Sequence, residues 1–416
     1  MTREARRVRC DCAVVGAGHA GLLLACLLAD QGLSVALVDR RPDPRNETLD
    51  SGRPPGWGLS VNLASVVALR TADLWGYLAE KAQPVETMHV ADPASGQHVV
   101  YRASETGSEA LSWGMAGQDL TNGLERAVAD RASIDTFWGE ELTHYRTGDE
   151  SCEIVCQSGL AIECRLAVAA DGRRSRLRGL ADLEGPLMDF KQVALAVGVA
   201  TGKSHRGKGF EILLPGGPLA FLPLTERHAD KPSASITWVL PKDDAARWQT
   251  AAPETFADAL CRHLPERLGE VRLTSPIAAF PLTFSHARRF IANRLALVGD
   301  AAHGMHPIHA QGFNLAVRDV ARLAELLVPA HRRDRDLGAP ALLARYHASR
   351  LPDSLATGAF TSGFGLLSGS ANPLARGAIG AGALALRKLP MLRRALTRQG
   401  LGDVPGRPRL LRGMSL

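Results

Sequence analysis

Three histidines spaced three residues apart are the first side chains in this sequence whose types could do chemistry. His303, His306 and His309 lie in the segment LVGDAAHGMHPIHAQGFNLAVRD, residues 297–319. A helical zinc site places two histidines at positions i and i+4 on one face, with a carboxylate nearby. Here Pro307 interrupts any helix between the histidines, because proline lacks the amide hydrogen that a helix interior needs. The spacing argues against a metal site, and we predict no bound metal.

A glycine-rich segment near the N-terminus has the spacing of a dinucleotide-binding unit. Gly16, Gly18 and Gly21 form a GxGxxG motif between an apolar strand and a predicted helix, and Asp39 ends the next strand. Such glycines form the turn, let the backbone approach a pyrophosphate and let the helix pack on the strand. Asp39 can accept ribose hydroxyls, and Arg40 and Arg41 could contact the adenine end or be solvated. The alternative is a glycine turn that only packs.

Two further apolar strands each end in a pair of aspartate and glycine. Asp171 and Gly172 follow one strand, whereas Gly299 and Asp300 follow the other. A common Asp-Gly turn would by itself explain the first pair. The second pair is followed by a loop and an amphipathic helix that we expect to begin near Gly312. Unpaired N–H groups at such a helix start favour negative charge, as on the pyrimidine end of a reduced flavin.

The three motifs, in the order GxGxxG, DG and GD, resemble those of the FAD-dependent aromatic hydroxylases with the p-hydroxybenzoate hydroxylase fold. The resemblance covers nearly the whole chain. The segments GDAAHGMHPIHAQGFNLAVRD, FKQVAL and GGPLAFLPL are most similar to the branch that hydroxylates ubiquinone precursors. The resemblance implies an α/β fold with a Rossmann-like FAD-binding domain, an interleaved antiparallel-sheet substrate domain and a C-terminal helical segment.

The resemblance also implies the chemistry. NADPH or NADH, bound transiently, reduces the FAD, and dioxygen then gives a flavin hydroperoxide whose distal oxygen is attacked by an electron-rich ring. The cofactor carries the reaction, while the protein orients the ring and excludes water. A base that ionises a phenol would help. His303, His306 and His309 are candidate bases or orienting groups, with structural hydrogen bonding as the alternative for each.

Matching the chain to the family residue by residue predicts a set of FAD contacts. They are Gly16, Gly18, Gly21, Asp39, Arg40, Arg53, Gln118, Asp171, Gly172, Gly299, Asp300, Pro307, Gly312, Phe313 and Asn314. The chain departs from the family pattern at two places. Ala310 stands where the family has glycine, and the segment around Arg53, GRPPGWGLSV, replaces the usual GRAIALS.

The leading hypothesis is hydroxylation of a ubiquinone-type prenylated phenol. The altered segment around Arg53 motivates an alternative, a hydroxylase or oxidase of a soluble phenolic or polyketide natural-product intermediate. A flavin halogenase is disfavoured because its WxWxIP motif is absent. A third alternative is an FAD-binding scaffold without turnover.

Composition along the chain predicts how the domains are arranged. We expect residues 1–80, 105–182 and 286–330 to form the FAD-binding domain, and residues 81–104 and 183–285 to form the substrate domain. Residues 331–416 would form a C-terminal helical segment. Four runs of strand-forming residues between 186 and 241 predict an antiparallel sheet that walls the pocket. Phe221 and Trp238 could line this pocket, or both could be core aromatics.

The net charge of +6 has a local origin. From Arg376 onward the chain carries eight Arg and one Lys against a single acid, so the rest is slightly acidic. The body of the protein therefore has no nucleic-acid signature. The leucine- and arginine-rich stretch 383–416 could lie on a membrane surface, contact a partner complex, or pack with a solvated basic face. No apolar run is long enough to span a bilayer, so we expect a cytoplasmic protein, with the membrane surface as the alternative.

Overall fold

The computed structural model describes residues 6–45, 56–228, 231–370 and 372–416. Two large sheets and helices that pack against them confirm the predicted α/β class. Strands and helices are numbered below in chain order. The helices of the described residues are α1 (His19–Ala29), α2 (Leu63–Thr71), α3 (Gly117–Ala129), α4 (Arg176–Leu180), α5 (Lys242–Gln249), α6 (Pro253–Cys261), α7 (Gln311–His331), α8 (Pro340–Gly369), α9 (Pro373–Lys388) and α10 (Pro390–Gly400).

The first large sheet has a parallel centre of five strands in the order β8–β2–β1–β11–β19. Its strands are β1 (Arg7–Val15), β2 (Val35–Asp39), β8 (Ile134–Trp138), β9 (Leu142–Thr147), β10 (Cys152–Cys156), β11 (Ala161–Ala169), β18 (Ile291–Ala292) and β19 (Leu295–Leu297). Helix α1 packs between α3 and α7. Because parallel strands end at one edge of a sheet, the three sequence motifs that follow β1, β11 and β19 are brought side by side.

The second large sheet is mostly antiparallel, as the sequence predicts. Its strands are β5 (Thr87–Asp92), β6 (Gln97–Arg102), β12 (Leu187–Thr201), β13 (Lys208–Leu214), β14 (Gly217–His228), β15 (Lys231–Pro241), β16 (Val271–Leu273), β17 (Ala278–His286) and β20 (His303–Gly304). One face of this sheet forms an apolar core with α5 and α6. The opposite face is turned toward α8 and the small sheet described next.

A small third sheet links the two large ones. It consists of β3 (Gly58–Asn62), β4 (Gln83–Val85) and β7 (Ser112–Ala116). The Ser235 hydroxyl accepts from the Gly58 amide at 2.9 Å and donates to the Gly56 carbonyl at 2.8 Å. A Cβ on Gly114 would lie 2.0 Å from the Pro223 carbonyl oxygen. Glycine therefore allows the small sheet to lie directly against the large one.

The C-terminal segment divides into two parts. Residues after Gly400 return to the core around the first large sheet, where Leu410 and Leu411 are buried. The Leu401 carbonyl accepts from the Ala64 amide at 2.9 Å. Helices α9 and α10 are mostly exposed, and they are separated at Pro390, as its missing amide hydrogen predicts. No described helix is both long and apolar enough to cross a bilayer.

Candidate functional site

The GxGxxG loop closes tightly on the end of β11. Gly16 has φ +104°, and a Cβ there would lie 2.4 Å from the Ala170 carbonyl oxygen. A Cβ on Gly21 would lie 1.9 Å from the Gly16 carbonyl oxygen, so α1 packs on the turn with no room for a side chain. Gly18 lies just before α1 in extended conformation. The free N–H groups at the start of α1 therefore face the edge of the sheet where a pyrophosphate can bind.

Asp39 lies at the end of β2 beside this loop. Its carboxylate accepts from the Ala17 amide at 2.5 Å and from the Arg41 side chain at 3.2 Å. Arg41 also donates to the Ala17 carbonyl at 2.6 Å and pairs with Glu125 at 3.4 Å. Arg40 is exposed. Arg41 thus fixes the carboxylate that we expect to accept the ribose hydroxyls.

The DG motif after β11 is shaped by its own carboxylate. Asp171 Oδ2 accepts from the amides of Arg176 and Leu177 at 2.7 and 3.2 Å, which closes the turn through Gly172 at φ +82°. Asp171 Oδ1 is buried and has no hydrogen-bond partner among the described residues. Burial raises the pKa of Asp171. This buried acceptor fits a hydroxyl group of a bound cofactor.

The GD motif after β19 lies beside the DG motif. Gly299 adopts φ +58°, and Asp300 Oδ2 lies 3.0 Å from Arg173 Nε. Arg178 donates to the Ala301 carbonyl at 2.9 Å and so ties the two motifs together. The Asp300 side chain is 43% exposed and can still accept a hydroxyl with its second oxygen.

A buried charge network holds the GD turn from behind. Asp319 Oδ2 accepts from the Gly299 amide at 3.0 Å and lies 2.6 Å from His303 Nε2, while Arg350 donates to Asp319 Oδ1 at 2.7 Å. Arg350 and Arg318 both pair with Asp353. The sequence prediction named neither arginine as a site residue. Burial alone would raise the pKa of Asp319, but His303 and Arg350 hold it at about 2.

This network favours structural hydrogen bonding over the base role, the two alternatives left open for His303. The imidazole is 2% exposed and is bonded to a carboxylate on the side of the turn that faces the core. In the structural alternative, His303 positions the Gly299–Asp300 turn.

The loop that leads into α7 contains Ala310, at the position where the resemblance leads us to expect glycine. Ala310 adopts φ +48° and ψ +40°, a left-handed conformation that glycine accepts without strain. Gly312 lies in the first turn of α7, and a Cβ there would meet nothing within 4 Å. Pro307 precedes this turn with φ −72°. The open backbone at Gly312 is where we expect the pyrimidine end of the flavin.

Asn314 does not have a free side chain for the cofactor. Its Oδ1 accepts from the Asn62 amide and the Ser65 hydroxyl at 3.0 and 2.9 Å. Its Nδ2 donates to the carbonyls of Ser60 and Ala310 at 2.9 and 3.0 Å. The side-chain amide thus ties α7 to β3 and α2, and the FAD contact predicted at Asn314 stays a prediction for its backbone. Only the backbone of Asn314 can face a ligand.

His306 is buried in an environment of its own, away from the Asp319 network that holds His303. His306 is buried, contacts Phe190 edge to face at 5.2 Å between ring centroids, and accepts from the Ile308 amide at Nδ1. A Cβ on Gly365 of α8 would lie 3.0 Å from its ring. The backbone of His309 lies in a short 3-10 turn, but its side chain lies outside the described residues, as does Arg53.

Phe221 and Trp238 lie on the wrong face of the large sheet to line the pocket. Phe221 packs edge to face on Phe210, and Trp238 contacts Trp248 and Phe256 beneath α5 and α6. Both are at most 5% exposed. Both side chains pack in the apolar core beneath α5 and α6, which favours the alternative that they are core aromatics.

The predicted residues fit an extended FAD at this edge. The Gly16 turn and the start of α1 can hold the pyrophosphate, Asp171 offers its unpaired oxygen, and the start of α7 offers its backbone. Gln118 lies in the first turn of α3, where its amide donates to Asn122 at 2.8 Å. Within the part of the chain that the structure describes, no three His, Cys, Asp or Glu side chains converge as metal ligands.

Comparisons with known proteins agree with this geometry. A family model described as an FAD binding domain matches residues 9–360. Ubiquinone hydroxylase UbiL of Rhodospirillum rubrum is 35% identical over 416 residues, which cover 98% of this chain and 93% of that protein. The 3-demethoxyubiquinol 3-hydroxylase of Escherichia coli is 29% identical over 350 residues, covering 83% of this chain and 86% of that protein.

Solved structures show the same fold at low identity. Pseudomonas aeruginosa PqsL in complex with 2-aminobenzoylacetate superposes with a TM-score of 0.76 at 21% identity, covering 91% of this chain and all of that one. Klebsiella pneumoniae HpxO complexed with FAD and uric acid gives 0.75 at 17% identity, covering 95% and 97%. The resemblance inferred from the three motifs is confirmed: the chain belongs to the FAD-binding-domain family and is an FAD-dependent hydroxylase.

Proposed function

We propose that this enzyme hydroxylates the ring of a ubiquinone-type prenylated phenol, with NAD(P)H and dioxygen as co-substrates. The names of its relatives from R. rubrum and E. coli support this substrate class. The observation that carries the proposal is an exposed apolar surface on the C-terminal helices, beside the second large sheet. Such a surface suits an enzyme whose substrate bears a lipid tail.

FAD supplies the redox chemistry and the activated oxygen, and the chain's residues bind and orient the reactants. The helix N-termini favour the negative charge of the pyrophosphate and of the reduced ring. His306 is our candidate for orienting the phenol oxygen. Because Nδ1 accepts from the Ile308 amide, the neutral ring carries its proton on Nε2. The roof formed by α8 over His306 excludes water from this side.

The apolar helix surface, on α8, α9 and α10, combines exposed hydrophobic side chains with charges that are all positive. No Asp or Glu occurs between Asp353 and Asp403. Arg376 pairs with the buried Asp92 and Arg393 with the partly buried Glu105. The other four cations of α9 and α10 are exposed and have no ion pair among the described residues. The exposed apolar members are Phe360, Leu366, Leu367, Leu374, Leu384, Leu389, Met391 and Leu392.

This combination matches an anionic bilayer surface. Each exposed cation near anionic lipid contributes about 1 kcal/mol, and each buried apolar side chain about 1.5–3 kcal/mol. We propose that the apolar helix surface places the enzyme on the membrane, from which the tailed substrate enters. A docking site for a partner protein of a multienzyme complex is the alternative outcome.

We expect the purified protein to oxidise NADPH faster when a short-chain prenylphenol is added, and the product to gain one oxygen atom. The measurements are NADPH absorbance and product mass. A matched phenol without the prenyl chain is the control, and we expect it to react more weakly. Flavin reduction without product from either phenol would contradict the proposed substrate. Equal products from both would favour a soluble phenolic.

Replacing both Leu374 and Met391 by glutamate should weaken binding to vesicles of phosphatidylglycerol and phosphatidylcholine by about tenfold or more. These side chains are 83% and 84% exposed, so the folded state should tolerate the change. Leu180→Glu on α4 is the matched control. Removing residues 383–416 is a poorer test, because Leu410 and Leu411 belong to the core.

Sedimentation with vesicles measures this binding, and added salt should weaken it in the unaltered protein. Unchanged binding by the double variant, or no binding by the unaltered protein, would remove the membrane proposal and direct attention to a partner protein.

A further inference from the structure

Three aromatic side chains meet where the N-terminal ends of three helices converge. His19 begins α1, Phe313 lies in the first turn of α7, and Trp57 precedes β3. The His19 ring is stacked on Trp57, with centroids 6.2 Å apart and an interplanar angle of 9°. It contacts Phe313 edge to face at 5.7 Å. We call these three residues the aromatic bracket.

Hydrogen bonds to α3 fix the His19 ring in place. His19 Nε2 lies 3.0 Å from the Thr121 hydroxyl, which itself donates to the Gly117 carbonyl at 2.9 Å. Because the hydroxyl proton is used there, the hydroxyl oxygen accepts from His19, and the network assigns a proton to Nε2. His19 therefore ties the GxGxxG loop to the start of α3.

Trp57 is held against the same helix by backbone contacts. The Gly117 amide donates to the Trp57 carbonyl at 2.9 Å. A Cβ on Gly117 would lie 2.3 Å from the indole ring, so the ring lies directly against the glycine backbone. Backbone contacts with α3 therefore hold Trp57 in place, in addition to its contact with the His19 ring.

The bracket lies on the route that an extended FAD must take. The pyrophosphate binds at the Gly16–Gly21 loop, to which His19 belongs, and the flavin ring binds at the start of α7, to which Phe313 belongs. The middle of the cofactor must pass between these two points. We propose that the aromatic bracket is a part of the FAD site: His19 is a positioning residue for the loop, and Trp57 contacts the flavin half of the cofactor.

The Trp57 contact predicts a spectroscopic signature. An indole in contact with an excited flavin quenches its emission by electron transfer, whereas a phenyl ring does so poorly. Trp57→Phe should therefore raise the fluorescence of bound FAD several-fold while FAD affinity changes by less than about threefold. Trp248→Phe, under α5 and α6, is the matched control. Unchanged emission in Trp57→Phe would overturn the contact.

The role of His19 is tested by FAD affinity in a pair of variants. His19→Ala removes the donor to Thr121 and should weaken FAD binding by about tenfold. His19→Gln retains a side-chain donor and should recover most of that affinity. Equal affinity of the alanine variant and the unaltered protein would refute the positioning role. Titration with FAD alone measures this, so failure of the proposed substrate leaves the inference untouched.

Discussion

Replacing Asp319 by asparagine is expected to lower the free energy of unfolding by about 3–5 kcal/mol. The change keeps the shape of the side chain but removes the charge that faces His303 and Arg350, all three being buried. Arg350 would then keep only Asp353 as a carboxylate partner. Because the same carboxylate accepts from the Gly299 amide, the GD turn should loosen and FAD affinity should fall with stability.

Denaturant titration measures the loss, and Glu109→Gln is a suitable control. Glu109 pairs with Arg70 at 2.5 Å, but both side chains are about half exposed, so the change should cost at most about 1 kcal/mol. The pKa of Asp319 is about 2 in the folded protein and close to 4 in an unfolded chain. Its contribution is therefore complete above about pH 4 and is lost as the pH falls toward 2. A loss for Asp319→Asn no larger than the control's would show that the network does not stabilise the fold.

Replacing Gly16 by alanine is expected to give a protein that does not retain FAD and is less stable by about 2–4 kcal/mol. Two costs add at this position. A non-glycine residue at φ +104° is strained, and the new methyl group would lie 2.4 Å from the Ala170 carbonyl oxygen. The loop and the end of β11 must then move apart, which displaces the neighbouring Asp171.

Retained flavin absorbance after purification and a thermal melt are the two measurements. Gly382→Ala is the matched control, because this glycine lies within α9 and a Cβ there meets nothing within 4 Å. It should leave FAD content unchanged and leave stability equal or slightly higher. A yellow Gly16→Ala protein with unaltered melting would mean that the turn is not the FAD-binding loop.

The parts of the site that follow from short-range backbone chemistry could be predicted from the sequence. Gly16 and Gly21 are required by a tight turn under a helix, and Asp171 and Gly299 follow apolar strands directly. Such features depend on neighbouring residues, so the sequence carries them within a few positions. The parallel strand order then brings the motifs to one edge, as the resemblance implies.

Features that depend on distant residues could not be predicted. Nothing near Asp319 in the sequence indicates that Arg350 lies against it, because the two belong to different helices. Asn314 is likewise bonded to residues some 250 positions earlier. The two alternatives for Phe221 could not be separated for another reason: the alternation along β14 defines two faces but does not say which one the helices cover.

The left-handed backbone of Ala310 affects how strained and how mobile the loop before α7 is. Its left-handed backbone costs about 1 kcal/mol relative to glycine, yet alanine narrows the range of shapes the loop can explore when unfolded or open. A single exchange to glycine would remove the backbone strain from the folded loop and increase the number of conformations that the loop can adopt. The position therefore balances a stiff loop beside the expected flavin site against a loop that moves more readily, and alanine favours the stiff loop.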